Sequence, residues 1–226
     1  MNKLLKIAIV LFLGIVISGF TYIDDESDDD NSSSSTFEIG DLYNYQKAFK
    51  SEEIETCASG VAKTYMDYRA TTVRSSRQYQ FIHNELTVDE TTGFLYDKDG
   101  FIGVALGSFY GEIGDRFYFT LESGVVLPLV KCEEKADEDT DARGCYHTSD
   151  NSVMEFVIDK DYALSYFGQL SNSYVLNGNY NNYDLFNGAI VKVERVLDEK
   201  NDNYVTYSSS SSSVNNNDIF EYGSGY

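Results

Sequence analysis

From residue 61 onward, hydrophobic and polar positions run with a period of two in short stretches separated by turn signals, the spacing of strands. "KTYMDYRATTV" places Tyr65, Asp67, Arg69 and Thr71 opposite Met66, Tyr68, Ala70 and Thr72. "FLYDKDGFIGVALG" reads as two short strands around an Asp99-Gly100 turn. "RFYFTL" and "VVLPLVK" flank "ESG", a hairpin loop closing on Gly124. Pro128, the only proline, sits inside the second of these runs. It donates no ladder hydrogen bond, so it marks an edge or a bulge. "SVMEFVI" and "GAIVKVERVL" supply two further strands, and "DKDYALSYFGQL" between them predicts a short helix.

Ahead of these strands, Leu42, Tyr45, Phe49 and Ile54 recur at roughly helical spacing. They predict a helical segment over 41–60, ending near Gly60. Many short strands with few helices and no strand–helix alternation predict an all-β fold, a small barrel or sandwich over 61–198.

The flanks have a different character. In "MNKLLKIAIVLFLGIVISGF", Lys3 and Lys6 precede an apolar run from Ile7 to Ile23. Residues 1–23 therefore read as a signal peptide or an uncleaved membrane anchor, with the lysines inside and "DDESDDD" outside. Residues 24–40 form an acidic, aperiodic spacer, and 199–226 form a Ser/Asn-rich tail; both are expected to be disordered. The expected location is extracellular or membrane-anchored.

Charge narrows the choice of partners. With 37 acidic against 17 basic side chains and a net charge of −20, the surface repels phosphate backbones, which excludes nucleic acid. The 19 Tyr and 14 Phe supply aromatic surface in the absence of Trp, and favour strands.

There are three cysteines. Outside the cell, Cys132 and Cys145 would close a loop around an acidic insert, leaving Cys57 over. Two alternatives stay open: a zinc site from Cys132, Cys145 and His147 with one acid, or unpaired thiols.

The chemistry concentrates in "NSVMEFVID". Period two puts Met154, Phe156 and Ile158 on a purely apolar face, and Val153, Glu155 and Val157 on the other. An acid between two valines is partly desolvated, which pushes its pKa toward that of a general acid. A solvent-facing or backbone-bonded glutamate is the plain alternative. The run "EEKADEDTD" offers Asp137, Asp139 and Asp141 at calcium-loop spacing, but Ala142 and Thr148 stand where such a loop needs Gly and Glu. "YVLNGNYNNYDLF" offers rings and amides of the kind that hold sugars. No Gly-rich phosphate loop, Gly-x-Ser-x-Gly elbow or Cys-x-x-Cys occurs.

The motif order between Phe101 and Gly168 supports one family comparison. "GVALG" at 103–107 is followed by "EIGDRFYFTLESG" at 112–124 and "VVLPLVKCEEKAD" at 125–137. Then come "SVMEFVID" at 152–159 and "YALSYFG" at 162–168. This layout resembles the double-psi β-barrels of bacterial cell-wall proteins, above all the three-aspartate domains and more remotely the rare-lipoprotein-A and expansin barrels. The resemblance lies in layout more than in identities. It implies a small six-stranded double-psi-like β-barrel, preceded by the short helix.

The first family aspartate would fall on Leu106 or Gly107 and is missing; the second falls near Cys132 and Glu133, the third on Glu155. In lytic transglycosylases sharing this barrel, the third acid is the general acid/base. The resemblance thus implies Glu155 as catalytic acid/base and Glu133 as a supporting carboxylate; His147, on a loop that could fold back over the strand, and Tyr110 are expected in substrate contact. It implies peptidoglycan or another cell-surface glycan as partner, and calls for no cofactor and no metal. The competing expectation is a non-catalytic surface module that kept the barrel and lost the site.

Overall fold

The computed structural model describes residues 39–167, 179–181 and 183–201. The proposed leader, most of the acidic spacer and the Ser/Asn-rich tail lie outside the described residues. Among the described residues, no helix is long and apolar enough to cross a membrane.

The strands are β1 (Phe49–Ile54), β2 (Thr64–Asp67), β3 (Leu86–Val88), β4 (Leu95–Asp97) and β5 (Ile102–Leu106). They continue with β6 (Arg116–Leu121), β7 (Val126–Glu134), β8 (Glu155–Ile158) and β9 (Ile190–Lys200). Among the described residues two α-helices accompany them, α1 (Arg77–Glu85) and α2 (Lys160–Phe167). The strands pair in the order β1-β9-β6-β7-β5-β4-β3, with β8 joined to β5 and carrying β2. Most pairings are antiparallel, but β5 runs parallel to β7 and β2 parallel to β8.

The all-β expectation is thus met, while the closed six-stranded barrel is not what the pairings form. Among the described residues, β1, β2 and β3 each have a partner on one side only, so the sheet is open.

Local signals account for much of this. Tyr96 pairs with Ile102 across the turn at Asp99-Gly100, where Gly100 takes φ 83°. Pro128 pairs with Tyr118 of β6, and β5 joins the other side of β7 only from Leu129 onward. Proline therefore occupies a half-paired position. Helix α2 is capped by Asp159, whose Oδ1 accepts from the N–H groups of Asp161 (3.0 Å) and Tyr162 (3.4 Å).

The helix expected over 41–60 is absent. A 3-10 turn covers Ile39–Asn44, and the next residues become β1, antiparallel to β9 with Ser51 opposite Val196 and Ile54 opposite Val193. Four apolar residues spread over thirteen positions fit a turn plus an edge strand as well as a helix, and β9 offered an open edge. Gly60 is needed for closeness rather than as a helix end. A β-carbon there would stand 2.6 Å from Ile190 Cδ1 and 2.8 Å from Val153 Cγ2.

Helix α1 has no counterpart in the expectations. Ile82 is its only buried residue, so its hydrophobic stripe is weak. Its readable mark is Ser76, whose hydroxyl caps the Tyr79 N–H at 3.1 Å.

The sheet buries both faces. On one, Ile102, Val104, Leu106, Phe117, Phe119, Leu127 and Leu129 join the Phe94–Phe156–Phe186 ring cluster, whose centroids lie 4.9 to 5.7 Å apart. On the other, Ala105, Cys132, Val157 and Leu95 lie with Ile82 of α1. A bulge in β7 joins the two patterns: Val104 faces Lys131, but Ala105 faces Glu133, so Cys132 is the extra residue. Strict alternation from Leu127 and Leu129 would have aimed Glu133 at the main core. The extra residue turns it to the opposite face.

Candidate functional site

Glu155 opens β8 opposite Ala105 of β5, and Ala105 lies opposite Glu133 of β7. On its other side Glu155 pairs with Thr64 of β2. Thr64, Glu155, Ala105 and Glu133 form one row across four strands. Residues directly opposite share a face, and each strand step is about 4.8 Å, which sets the two glutamate Cα atoms roughly 10 Å apart. The small Ala105 between them leaves an open space. Val153 does not flank Glu155 as the alternation suggested; it lies in a bend before β8 and packs into the main core.

Glu155, Ala105 and Glu133 of this row line a cleft of about 440 Å³. Glu133, Glu155 and His147 all line it, so three of the expected site residues come together. Lys135, Thr71 and Asp139 line it too.

Half-buried Glu155 has its carboxyl pushed above the usual range by burial. The Lys135 ammonium opposes that, Asp150 adds to it, and His147 and a hydrogen bond from Thr64 oppose it again. Glu133 is held differently. Its Oε2 accepts the Thr71 hydroxyl at 2.6 Å and its Oε1 accepts the Glu134 N–H at 3.1 Å. The neighbouring Glu134 pairs with the buried Lys131 at 2.6 Å and is drawn away from the row.

His147 reaches the cleft through the loop between β7 and β8. Its backbone N–H donates to the Ser152 carbonyl at 2.9 Å. Its Nδ1 lies 3.3 Å from the Ser149 nitrogen and 2.9 Å from the Ser149 hydroxyl.

The same loop replaces the expected cysteine pairing. Cys145 is bonded to Cys57, with Cα atoms 6.4 Å apart, and Cys132 is the free thiol. Cys132 sits in the β7 bulge beneath Leu95 and Ile82, on the face opposite Cys145, and burial pushes its thiol up. Neither a Cys132–Cys145 bridge nor a zinc site with His147 fits that placement.

Two of the acids at calcium-loop spacing are engaged by the protein itself. Asp141 accepts the N–H groups of Cys145 (2.6 Å) and Tyr146 (3.2 Å), and Asp137 accepts the Ser108 hydroxyl at 2.8 Å. These acids shape the loop. Among the described residues, no three His, Cys, Asp or Glu side chains gather to hold a metal ion.

Tyr110 is not a substrate contact. It is fully buried against Phe117 and Phe119, and its hydroxyl lies 3.3 Å from Cys57 Sγ and 3.6 Å from Cys145 Sγ. Its ring belongs to the core because "SFYG" forms a tight 3-10 turn that points it inward. In "YVLNGNYNNYDLF", Tyr180 is likewise buried, while residues 174–178 and 182 lie outside the described residues.

Sequence reasoning missed Lys135 and Thr71. Lys135 follows two glutamates in "CEEK" and reads as part of a solvated charge run, and Thr71 reads as one member of an alternating strand. Their roles depend on chain brought in from 62 and 17 residues away, so periodicity carries no sign of them.

Fold and site together define an all-β protein with a polar cleft that brings a half-buried carboxylic acid, a second carboxylate, a buried ammonium and an imidazole to one sheet face. Compared with known protein families, with curated proteins and with solved structures, the chain finds no match.

Proposed function

We propose that this is an exported cell-envelope protein whose cleft acts on glycan strands of the peptidoglycan type, with Glu155 as general acid/base. One observation carries the reading: Glu155 and Glu133 flank Ala105 on the floor of one cleft, in environments of opposite kind. Glu155 is held toward its protonated form by burial, while both oxygens of Glu133 accept hydrogen bonds. Two carboxyl groups in unlike surroundings are the usual arrangement for splitting acid and charge-stabilising roles.

In the reaction, Glu155 gives its proton to the glycosidic oxygen as the bond from that oxygen to the anomeric carbon breaks. A hydroxyl of the same sugar then bonds to that carbon and returns its proton to Glu155. The product is an anhydro-sugar, and no water is consumed. Glu133 faces the positive charge that develops on the sugar ring.

Further features favour this reading. A disulfide suits an oxidising compartment outside the cytoplasm, as does the apolar leader expected at 1–23. Two parallel pairings in a small, mostly antiparallel sheet accord with a relationship to the double-psi barrels.

A second reading, a surface module that kept the fold and lost the activity, is favoured by the missing first acid. Leu106 is buried in the main core, and a β-carbon on Gly107 would meet the backbone of Gly144. No acidic side chain fits at that point.

The experiment is digestion of purified peptidoglycan by the full chain and by Glu155→Gln, with released fragments read by mass spectrometry. Anhydro-sugar fragments from the wild type alone are expected. An absence of fragments from a folded wild-type protein would leave the binding-module reading in place.

A further inference from the structure

Ser152 joins the two walls of the cleft. Its carbonyl accepts from Lys135 Nζ at 3.1 Å and from the His147 N–H at 2.9 Å. Its hydroxyl accepts Lys135 Nζ at 3.0 Å, and its own N–H donates to Asp150 Oδ1 at 2.8 Å. Ser152 is 1 % exposed and Lys135 6 %. Lys135 is therefore clamped at its tip, not draped over the surface.

An ammonium carries three N–H groups. Two go to the neutral acceptors on Ser152, which leaves one for the cleft that Lys135 lines together with Glu155. A buried cation needs a countercharge, and Glu155 lines the same cleft and attracts Lys135 through space, without a direct ion pair. Burial acts against both ionised forms of the Lys135–Glu155 pair, while their mutual attraction favours both.

The other groups around Glu155 are accounted for. His147 lines the cleft from the loop with Asp150 beside it, and Thr64 pairs with Glu155 from β2. Glu133 stands across Ala105, and Glu134 and Asp139 lie on the cleft wall. Lys135 is first among the groups that favour the Glu155 carboxylate.

We propose that Lys135, clamped by Ser152, is the positioning residue of Glu155: its ammonium is a fixed positive charge on the wall of the cleft that holds the Glu155 carboxyl. The catalytic meaning of this pair rests on the general-acid reading above, whereas the pairing itself does not.

The test is a carbon-13 NMR titration of the full chain labelled at the glutamate carboxyls, with Glu155 assigned by its loss in Glu155→Gln. Lys135→Met should raise the Glu155 midpoint by about one pH unit. Lys135→Arg should restore it. Ser152→Ala should move it in the same direction by less, and serves as the informative variant if Lys135→Met fails to fold. A Glu155 midpoint unchanged in folded Lys135→Met, or in Ser152→Ala where only that variant folds, would overturn the proposal.

A parallel pH profile of kcat/KM on peptidoglycan separates the two claims. If the wild type releases fragments, the high-pH limb should move upward in Lys135→Met. If it releases none, the general-acid reading falls while the titration still decides the role of Lys135.

Discussion

The carbonyl of Gly144 stands where a β-carbon on Gly107 would go, so the loop between β7 and β8 is seated directly on the end of β5. Gly144 itself takes φ 68° and is tied to Asp141 by its N–H. Neither backbone has room to retreat. Gly107→Ala should therefore lower unfolding free energy by about 3 kcal/mol, toward the upper range for a single substitution, and Gly107→Asp by more. Urea denaturation checks this; a loss below about 0.5 kcal/mol for Gly107→Ala would mean the loop is not so seated.

Glu155→Gln should stabilise the fold near neutral pH. Burial raises the Glu155 pKa above its value in the unfolded chain. The stability linked to that carboxyl is complete below the unfolded value and is lost as pH rises through the folded one. Glutamine does not titrate, so the advantage of the variant should grow from pH 4 to pH 7. Denaturation midpoints at both values test this, and a constant difference would contradict the burial of the charged form.

Lys63 gives the opposite dependence at higher pH. It is fully buried, donates to the carbonyls of Val61 and Gly188, and burial pushes its pKa down to about 8. A depressed lysine contributes stability that is complete above its unfolded pKa and is lost as pH falls through the folded one. Wild type should gain about 2 kcal/mol over Lys63→Met between pH 7 and pH 9.5. Parallel curves for the two proteins would show that the ammonium titrates normally.

The disulfide closes a long loop, since Cys57 and Cys145 are 88 positions apart. Cys145→Ser should lower stability by about 4 kcal/mol, and Cys132→Ala should leave the bridge intact. Alkylation of the unreduced, unfolded chain should modify Cys132 alone. Modification of Cys57 instead would restore the pairing that the sequence suggests.

Local pattern by itself determined much of the molecule. The strand runs at β4 to β9, the Asp99-Gly100 turn, the half-paired place of Pro128 and helix α2 all follow from period, turn chemistry or a missing N–H. So does the position of Glu155 on the face opposite Phe156 and Ile158, because a strand alternates whatever lies beside it.

Tertiary structure decided the rest. The bulge at Cys132 fixed the direction of Glu133, the open edge of β9 turned an apparent helix into β1, and Cys57 rather than Cys132 met Cys145. Lys135 entered the cleft because Ser152, 17 residues away, was there to hold it. Period and propensity describe a residue and its near neighbours, while partner choice depends on which distant surfaces the whole chain buries together. The cleft is made of such choices, so its carboxylate was legible in the sequence and its surroundings were not.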